Sequence, residues 1–293
     1  VLCVIGDLVE DVVVWLPTAL SYGTDTPSKI VRTRGGSASN VAVFAAAVNS
    51  DRSTKYRSRL IAQVGGDALG DRLVATLEAS NVEPCVVRSG RTGSIVVIVS
   101  PDGERTMLTD RATATELKQA PDNWHDGVSV LHVPAYSLFS EPLGTAAREC
   151  ITTAHEKKIT VSIDASSASL IKTFGIARFR ELVAELNPKI FFCNTDEAEV
   201  LNLSAQPLEL DVVVIKAGAE PTTLIYKAKQ STVAVAPVGK ITDSTGAGDA
   251  FAAGFLTKFQ QTYKHVSPAK QPDLKLLHDC VLAGHQLAAM VLR

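Results

Sequence analysis

Short apolar runs that alternate with helical patterns limit this chain to very few folds. Val1–Ile5, Leu60–Val64, Val128–His132, Ile159–Ile163, Ile190–Phe192 and Val212–Ile215 are rich in β-branched and aromatic residues. Their nearly continuous apolar character fits strands buried on both faces. Helical spacing of apolar residues predicts helices over Ala38–Val48, Ala68–Ala79, Glu141–Glu156, Arg178–Glu185 and Thr195–Leu203, and two more over 247–260 and 274–292. Strands separated by helices predict a mainly parallel sheet with helices on both faces, because a parallel connection needs a crossover. Two segments break this rhythm. Val12–Trp15 and Lys29–Arg34 read as strands joined by the polar stretch Ser21–Asp25, and Ser94–Val99 and Arg105–Thr109 flank the turn Pro101-Asp102-Gly103-Glu104. Both read as β pieces inserted into the α/β pattern.

With 293 residues, 46% of them hydrophobic, the chain has ample material for one large core. A formal net charge of -2 carries no nucleic-acid footprint, and no apolar run reaches membrane-spanning length. The start, Val1-Leu2-Cys3-Val4-Ile5-Gly6, lacks a basic segment and reads as a first buried strand. It also lacks Met, and the chain stops at Arg293 within a helical pattern, so further residues are expected at both ends. Cys3, Cys85, Cys150, Cys193 and Cys280 form no C-x-x-C pair, which predicts free thiols and a cytoplasmic protein.

The chemistry concentrates in Asp243-Ser244-Thr245-Gly246-Ala247-Gly248-Asp249. Phe251, Phe255 and Phe259 follow at i, i+4 and i+8, so they stripe one face of a helix whose first turn holds the glycines. The first N–H groups of a helix lack intrahelical partners, and the helix dipole favours negative charge beside them. Gly246, Ala247 and Gly248 therefore offer a phosphate cradle, and Asp249 stands where it could take a proton from a hydroxyl held beside that phosphate. The plain alternative is a turn with an acidic first-turn residue. No Lys follows as in a Walker A loop, and Phe251 stands where a dinucleotide fingerprint needs its third Gly.

The whole run resembles the D-T-x-G-A-G-D signature of the ribokinase-like, or PfkB, family of carbohydrate and nucleoside kinases, with Ser244 in place of the usual Thr. A second match is Gly35-Gly36-Ser37-Ala38-Ser39-Asn40, which is similar to the family's N-terminal G-G-x-x-x-N element. The resemblance implies a three-layer α/β/α fold with a mainly parallel central sheet and a small β-sheet lid. On that reading residues 1–11, 35–87 and 112–293 form the large domain, and 12–34 and 88–111 form the lid. The lid also offers a candidate homodimer surface.

By the same resemblance Gly35, Gly36, Asn40 and Asp11 contact a sugar, with Asp7 a further candidate. Read from the residues alone, Ser37 is a helix N-cap, and Asp7, Glu10 and Asp11 are carboxylates at the end of the first strand, where a ligand crevice opens. Glu10 reads as solvated. Asn194-Thr195-Asp196-Glu197 reads as an acidic helix start capped by Asn194 or Thr195, and it matches the family's N-x-x-E motif, in which the Glu helps place Mg²⁺ through water. Lys216 and Gly218, after Val213–Ile215, resemble the segment that wraps the ATP phosphates; Asp164 is a further candidate there, and Gly284 and His285 align loosely with an adenine site. Asp243 and Thr245 resemble positions that hold a monovalent cation, a candidate K⁺ site. Departures occur as well. Ala135 stands where ribokinases carry a Glu, Arg111-Ala112-Thr113-Ala114 replaces a usual Asn after the lid, and Glu220-Pro221 replaces a usual Gly.

The resulting expectation is ATP-dependent phosphorylation of a hydroxyl, a primary one, on a free sugar or related small molecule. Asp249 is the general base and Gly246–Gly248 the anion hole. A nucleoside kinase of adenosine or pseudouridine type stays open, as does a non-catalytic sugar- or nucleotide-binding regulator. Phosphorylation of a vitamin-like alcohol and a dinucleotide-dependent oxidoreductase are weaker rivals.

Overall fold

The computed structural model describes residues 1–51, 53–239, 245–263 and 272–292. The main sheet has nine strands: β1 (Leu2–Ile5), β4 (Ser58–Val64), β5 (Val82–Arg88), β8 (Val130–Pro134), β9 (Thr160–Asp164), β10 (Ile190–Asn194), β11 (Val212–Lys216), β12 (Thr222–Tyr226) and β13 (Lys229–Val233). Their spatial order is β13-β12-β11-β10-β9-β8-β1-β4-β5. All pairs from β11 across to β5 are parallel, whereas β12 and β13 are antiparallel. The chain builds outward from β1 to β4 and β5, then returns to the other side of β1 to lay down β8. The crevice at the carboxyl ends near β1 and β8 is thus the topological switch point where α/β sheets bind ligands.

Alternate residues of one strand serve opposite faces. Leu2 and Val4 pack under α1 (Ser37–Val48), α2 (Ala68–Ala79), α7 (Ala247–Tyr263) and α8 (Leu274–Val291). Cys3 and Ile5 pack under α3 (Leu143–Glu156), α4 (Ala168–Phe174), α5 (Ile176–Leu186) and α6 (Thr195–Val200). The Phe stripe of α7 is buried as its spacing predicts: Phe251 and Phe255 meet Phe192 of β10 edge-on, with centroids 6.2 and 5.1 Å apart. Burial of each such ring is worth roughly 1.5–3 kcal/mol, and it fixes the rotation of α7. α1 lies beside α7, with Ala42, Ala45 and Ala46 in the same buried cluster as Ala250 and Ala253.

A second sheet stands over the crevice. It consists of β2 (Val9–Trp15), β3 (Lys29–Gly35), β6 (Thr92–Val99) and β7 (Arg105–Ala112), in the order β3-β2-β6-β7. Asp11, Ile95 and Thr109 stand in register across β2, β6 and β7, and Val97 pairs with Met107 two residues on. The two-residue period puts these side chains on one face, which lines the cleft.

Three strands and one helix depart from the sequence expectations. β5 carries Pro84, which tells against a strand, yet β5 is a sheet edge where a missing N–H is tolerated. β12 and β13 join through Lys227 and Ala228, both at positive φ (48° and 62°). That is a hairpin turn without the Asn-Gly signal that would mark it. The short α4 was hidden in a Ser/Thr-rich stretch. Replacing Lys227→Asn together with Ala228→Gly is expected to raise stability by about 1 kcal/mol, because both residues then suit left-handed backbone. A lower melting temperature for this pair would contradict the turn geometry.

Candidate active site

The cleft between the two sheets has a volume of about 920 Å³. Main-sheet residues reach it from the carboxyl ends of their strands: Asp7 follows β1, Tyr136 follows β8, and Asp164, Asn194 and Lys216 end β9, β10 and β11. Gly246, Gly248 and Asp249 enter at the start of α7. The first intrahelical bond there runs from the Ala250 N–H to the Gly246 carbonyl, so the amides of 247–249 belong to the open first turn.

Asp249 is gripped from α1. Ser37 Oγ donates to its Oδ1 at 2.7 Å and Asn40 Nδ2 to its Oδ2 at 2.9 Å. Burial pushes the carboxyl up to about 6; the Ser37 and Asn40 bonds work against that rise, and Asp164 adds to it. Ser37 is therefore not the helix cap expected from the sequence. Gly36 takes the N-cap position with no side-chain bond, and the Ser37 hydroxyl turns to Asp249 instead.

The glycine pair does its work through close approach. A Cβ on Gly35 would lie 2.0 Å from the Asp11 carboxylate, and one on Gly36 would lie 2.5 Å from the Asp7 carbonyl oxygen. Gly36 also has φ +99°, which disfavours any L side chain. Asp11 lines the cleft, and burial raises its pKa to about 6 against the nearby Arg34. Asp7 is buried, and burial raises its pKa against the opposing Arg111, whose guanidinium lies 2.7 Å from Oδ2. Arg111 also stacks on Tyr136, 5.0 Å from the ring centre. Glu10 is a correction. It is only 3% exposed and pairs with Arg32 at 2.6 Å and Arg72 at 2.8 Å, tying β3 and α2 together.

At the other end, Asn194 caps α6 in a reciprocal box. Its Oδ1 accepts from the Glu197 N–H at 2.8 Å, while Glu197 Oε2 accepts from the Asn194 N–H at 2.7 Å. Glu197 still lines the cleft, and burial followed by the nearby Asp164 carries its pKa up to about 7. Lys216 Nζ lies 2.6 Å from Asp164 Oδ2. Burial alone would lower the Lys216 pKa, but the Asp164 partnership overrides this and raises it. Gly218 sits in the turn after β11 and does not line the cleft. Nor do Gly284 and His285: Gly284 packs on Phe251, and His285 bonds Thr222. Thr245 accepts a hydrogen bond from Arg105 of the lid; Asp243 lies outside the described residues.

Some cleft residues escaped sequence reasoning. Ser37 and Tyr136 carry no local signal for the cleft, because each meets its partner, Asp249 or Arg111, only in the folded chain. Phe139 and Phe174 also line the cleft. Among the described residues no helix is long and apolar enough to cross a membrane.

The model of the pfkB family carbohydrate kinases matches residues 2–293. The chain belongs to that family and is an ATP-dependent sugar kinase. Among curated proteins it is similar to the fructokinase of Escherichia coli, with 26% identity over 88% of this chain and 84% of that one. It is also similar to the adenosine kinase of Schizophyllum commune, with 27% identity over 87% and 77%. The solved adenosine kinase from Sinorhizobium meliloti superposes with a TM-score of 0.81 at 22% identity, covering 99% of this chain and 93% of that one, a likeness of fold.

Gly36→Ala is expected to cost about 2 kcal/mol or more, from backbone strain plus the clash with Asp7, measured by urea unfolding. Gly35→Ala should displace the Asp11 side chain instead and raise the KM of the acceptor more than that of ATP. Equal effects on both KM values would contradict a role for Asp11 at the acceptor.

Proposed function

We propose that the enzyme transfers the γ-phosphoryl group of ATP to a hydroxyl of a free sugar, with Asp249 as general base. The observation that carries this reading is the Asp249 carboxylate itself. It lies in the open first turn of α7, on the cleft wall, with both oxygens aimed by α1 and its pKa near 6. A carboxylate of that pKa is ionised at neutral pH and basic enough to take a proton as the oxygen attacks. The hydroxyl oxygen forms its bond to the γ-phosphorus, its proton passes to Asp249, and ADP leaves. Amides of Gly246, Ala247 and Gly248 would receive the transferring oxygens, and Lys216 would add a point charge near them. Asp11, Asp7, Gly35, Gly36 and Asn40 form the acceptor end, with the four-stranded sheet, segments 12–34 and 88–111, as lid.

The acidic pair at the ATP end suits Mg²⁺. Burial, and then the neighbouring Asp164, disfavour the charge on Glu197 and bring its pKa up to about 7, and a hydrated dication needs few direct protein ligands. Glu197, with Asn194 orienting it, would hold such an ion, which when bound neutralises phosphate charge. Gly218 would shape the nearby loop. We leave K⁺ out of this reading, because the Thr245 hydroxyl already faces the Arg105 guanidinium.

A nucleoside acceptor is the second reading, supported by Tyr136, Phe139 and Phe174 on the cleft wall, which could stack a planar base. A panel of sugars and nucleosides, read by ADP release, separates the two. Asp249→Asn should lower kcat by roughly 10²–10⁴ while ATP binding persists; a near-normal rate would refute the base assignment. In the native enzyme the base must be ionised, so kcat should fall as pH drops through about 6. A profile flat down to pH 4.5 would contradict the assignment.

A further inference from the structure

Arg34, on lid strand β3, is linked to the Asp249 carboxylate through the side chain of Asn40. It lies at the end of β3, just before Gly35 and Gly36, and on α1 beyond them stand Ser37 and Asn40. Arg34 Nη1 donates to Asn40 Oδ1 at 2.9 Å and to Ser39 Oγ at 2.6 Å. Ser39 Oγ in turn donates to the Gly35 carbonyl at 2.7 Å, so the guanidinium is anchored as well as anchoring. Asn40 Nδ2 then donates to Asp249 Oδ2 at 2.9 Å.

A guanidinium has donors only, and an ionised carboxylate has acceptors only. An amide between them satisfies both in one orientation: oxygen to Arg34, nitrogen to Asp249. We propose that Arg34 is a positioning residue for phosphoryl transfer, acting through the side-chain amide of Asn40 to aim the Asp249 carboxylate. The proposal rests on the reading of Asp249 as the base. Because Arg34 belongs to a lid strand, the aim of the base depends on where that strand lies.

Removal of the guanidinium frees the amide to turn over. With no donor fixing its oxygen, the amide can pivot away from Asp249 Oδ2, which leaves the carboxylate held by Ser37 alone. Two losses follow. The base swings away from its productive direction, and its ionised form loses a donor. The other groups that act on Asp249 stay in place: Lys216 on β11, Asp164 on β9 and Tyr136 after β8, with Asp11 on β2 acting on Arg34. The acid limb of the kcat profile therefore moves to higher pH.

The test is a double-mutant cycle in the full chain, with Arg34→Met, Asn40→Ala, both together, and Arg34→Lys. Arg34→Met should lower kcat about 10- to 100-fold, leave the KM for ATP unchanged, and shift the acid limb upward. Arg34→Lys keeps a cationic donor and should recover part of the loss. In the Asn40→Ala background Arg34→Met should add nothing, since the two act as one unit. Additive losses, or an acid limb that stays at its native position, would overturn the proposal. Should Arg34→Met fail to fold, the cycle with Arg34→Lys carries the same prediction at smaller size. If the native enzyme turns over no acceptor on the panel, the base assignment falls separately. The Arg34→Met crystal structure then decides the relay: an Asn40–Asp249 bond kept in its native orientation overturns it.

Discussion

Two hydrogen bonds hold the site together, and they join parts of the chain 212 and 209 residues apart, Ser37 to Asp249 and Asn40 to Asp249. They exist only because α1 and α7 lie side by side on one face of the main sheet. That contact depends in turn on two patterns of side-chain size. Large rings on α7 anchor it against Phe192 of β10. A glycine at the start of α7 then permits close approach, since a Cβ on Gly246 would already touch the Phe44 ring of α1, so that short polar side chains can span the gap. A bulkier residue at the buried Ala42 or Ala46 would shift α1 and take the donors away from Asp249.

Electrostatics follows from the same geometry. Parallel strands deliver Asp164, Asn194 and Lys216 to one rim, and α7 brings Asp249 to face them. In this partly buried rim carboxylates outnumber the cations that neutralise them. Lys216 is committed to Asp164. Glu197 and Asp249 are both left with raised pKa values, near 7 and near 6, burial being the first cause in each. An excess of negative charge repels a nucleotide, and the helix start at Gly246–Gly248 and the divalent cation proposed at Glu197 would offset it. The capping box at Asn194 and Glu197 shows that a structural role and a candidate functional one need not compete. The box spends one lone pair on each oxygen and leaves others for the cleft.

The lid makes a similar double use of polar groups. Asp67 caps α2 and also bonds the Thr92 N–H at 2.8 Å, pinning the start of β6. Glu10 draws Arg32 of β3 and Arg72 of α2 together. The lid is thus fastened by charged and hydrogen-bonded contacts to α2 and its N-cap, and its inner face stays apolar at Ile95, Val97 and Met107.

The alternation of apolar runs and helical patterns was enough for the sequence to determine a parallel sheet with two covered faces, since buried strands must be continuously apolar. The glycine-rich start of α7 and its acidic residue were equally visible, because a helix terminus is a local matter of spacing. Edge and hairpin strands were not visible: Pro84 is tolerated only at an edge, and Lys227-Ala228 turns without the usual residues because its neighbours pair across it. The roles of Ser37, Glu10 and Arg34 were decided by tertiary structure alone. A hydroxyl near a helix start can cap that helix or serve a carboxylate elsewhere, and a Glu at a strand end can face water or two arginines. Local sequence weighs those outcomes equally, and the partner that settles each is brought within 3 Å only when the helices and the lid have packed.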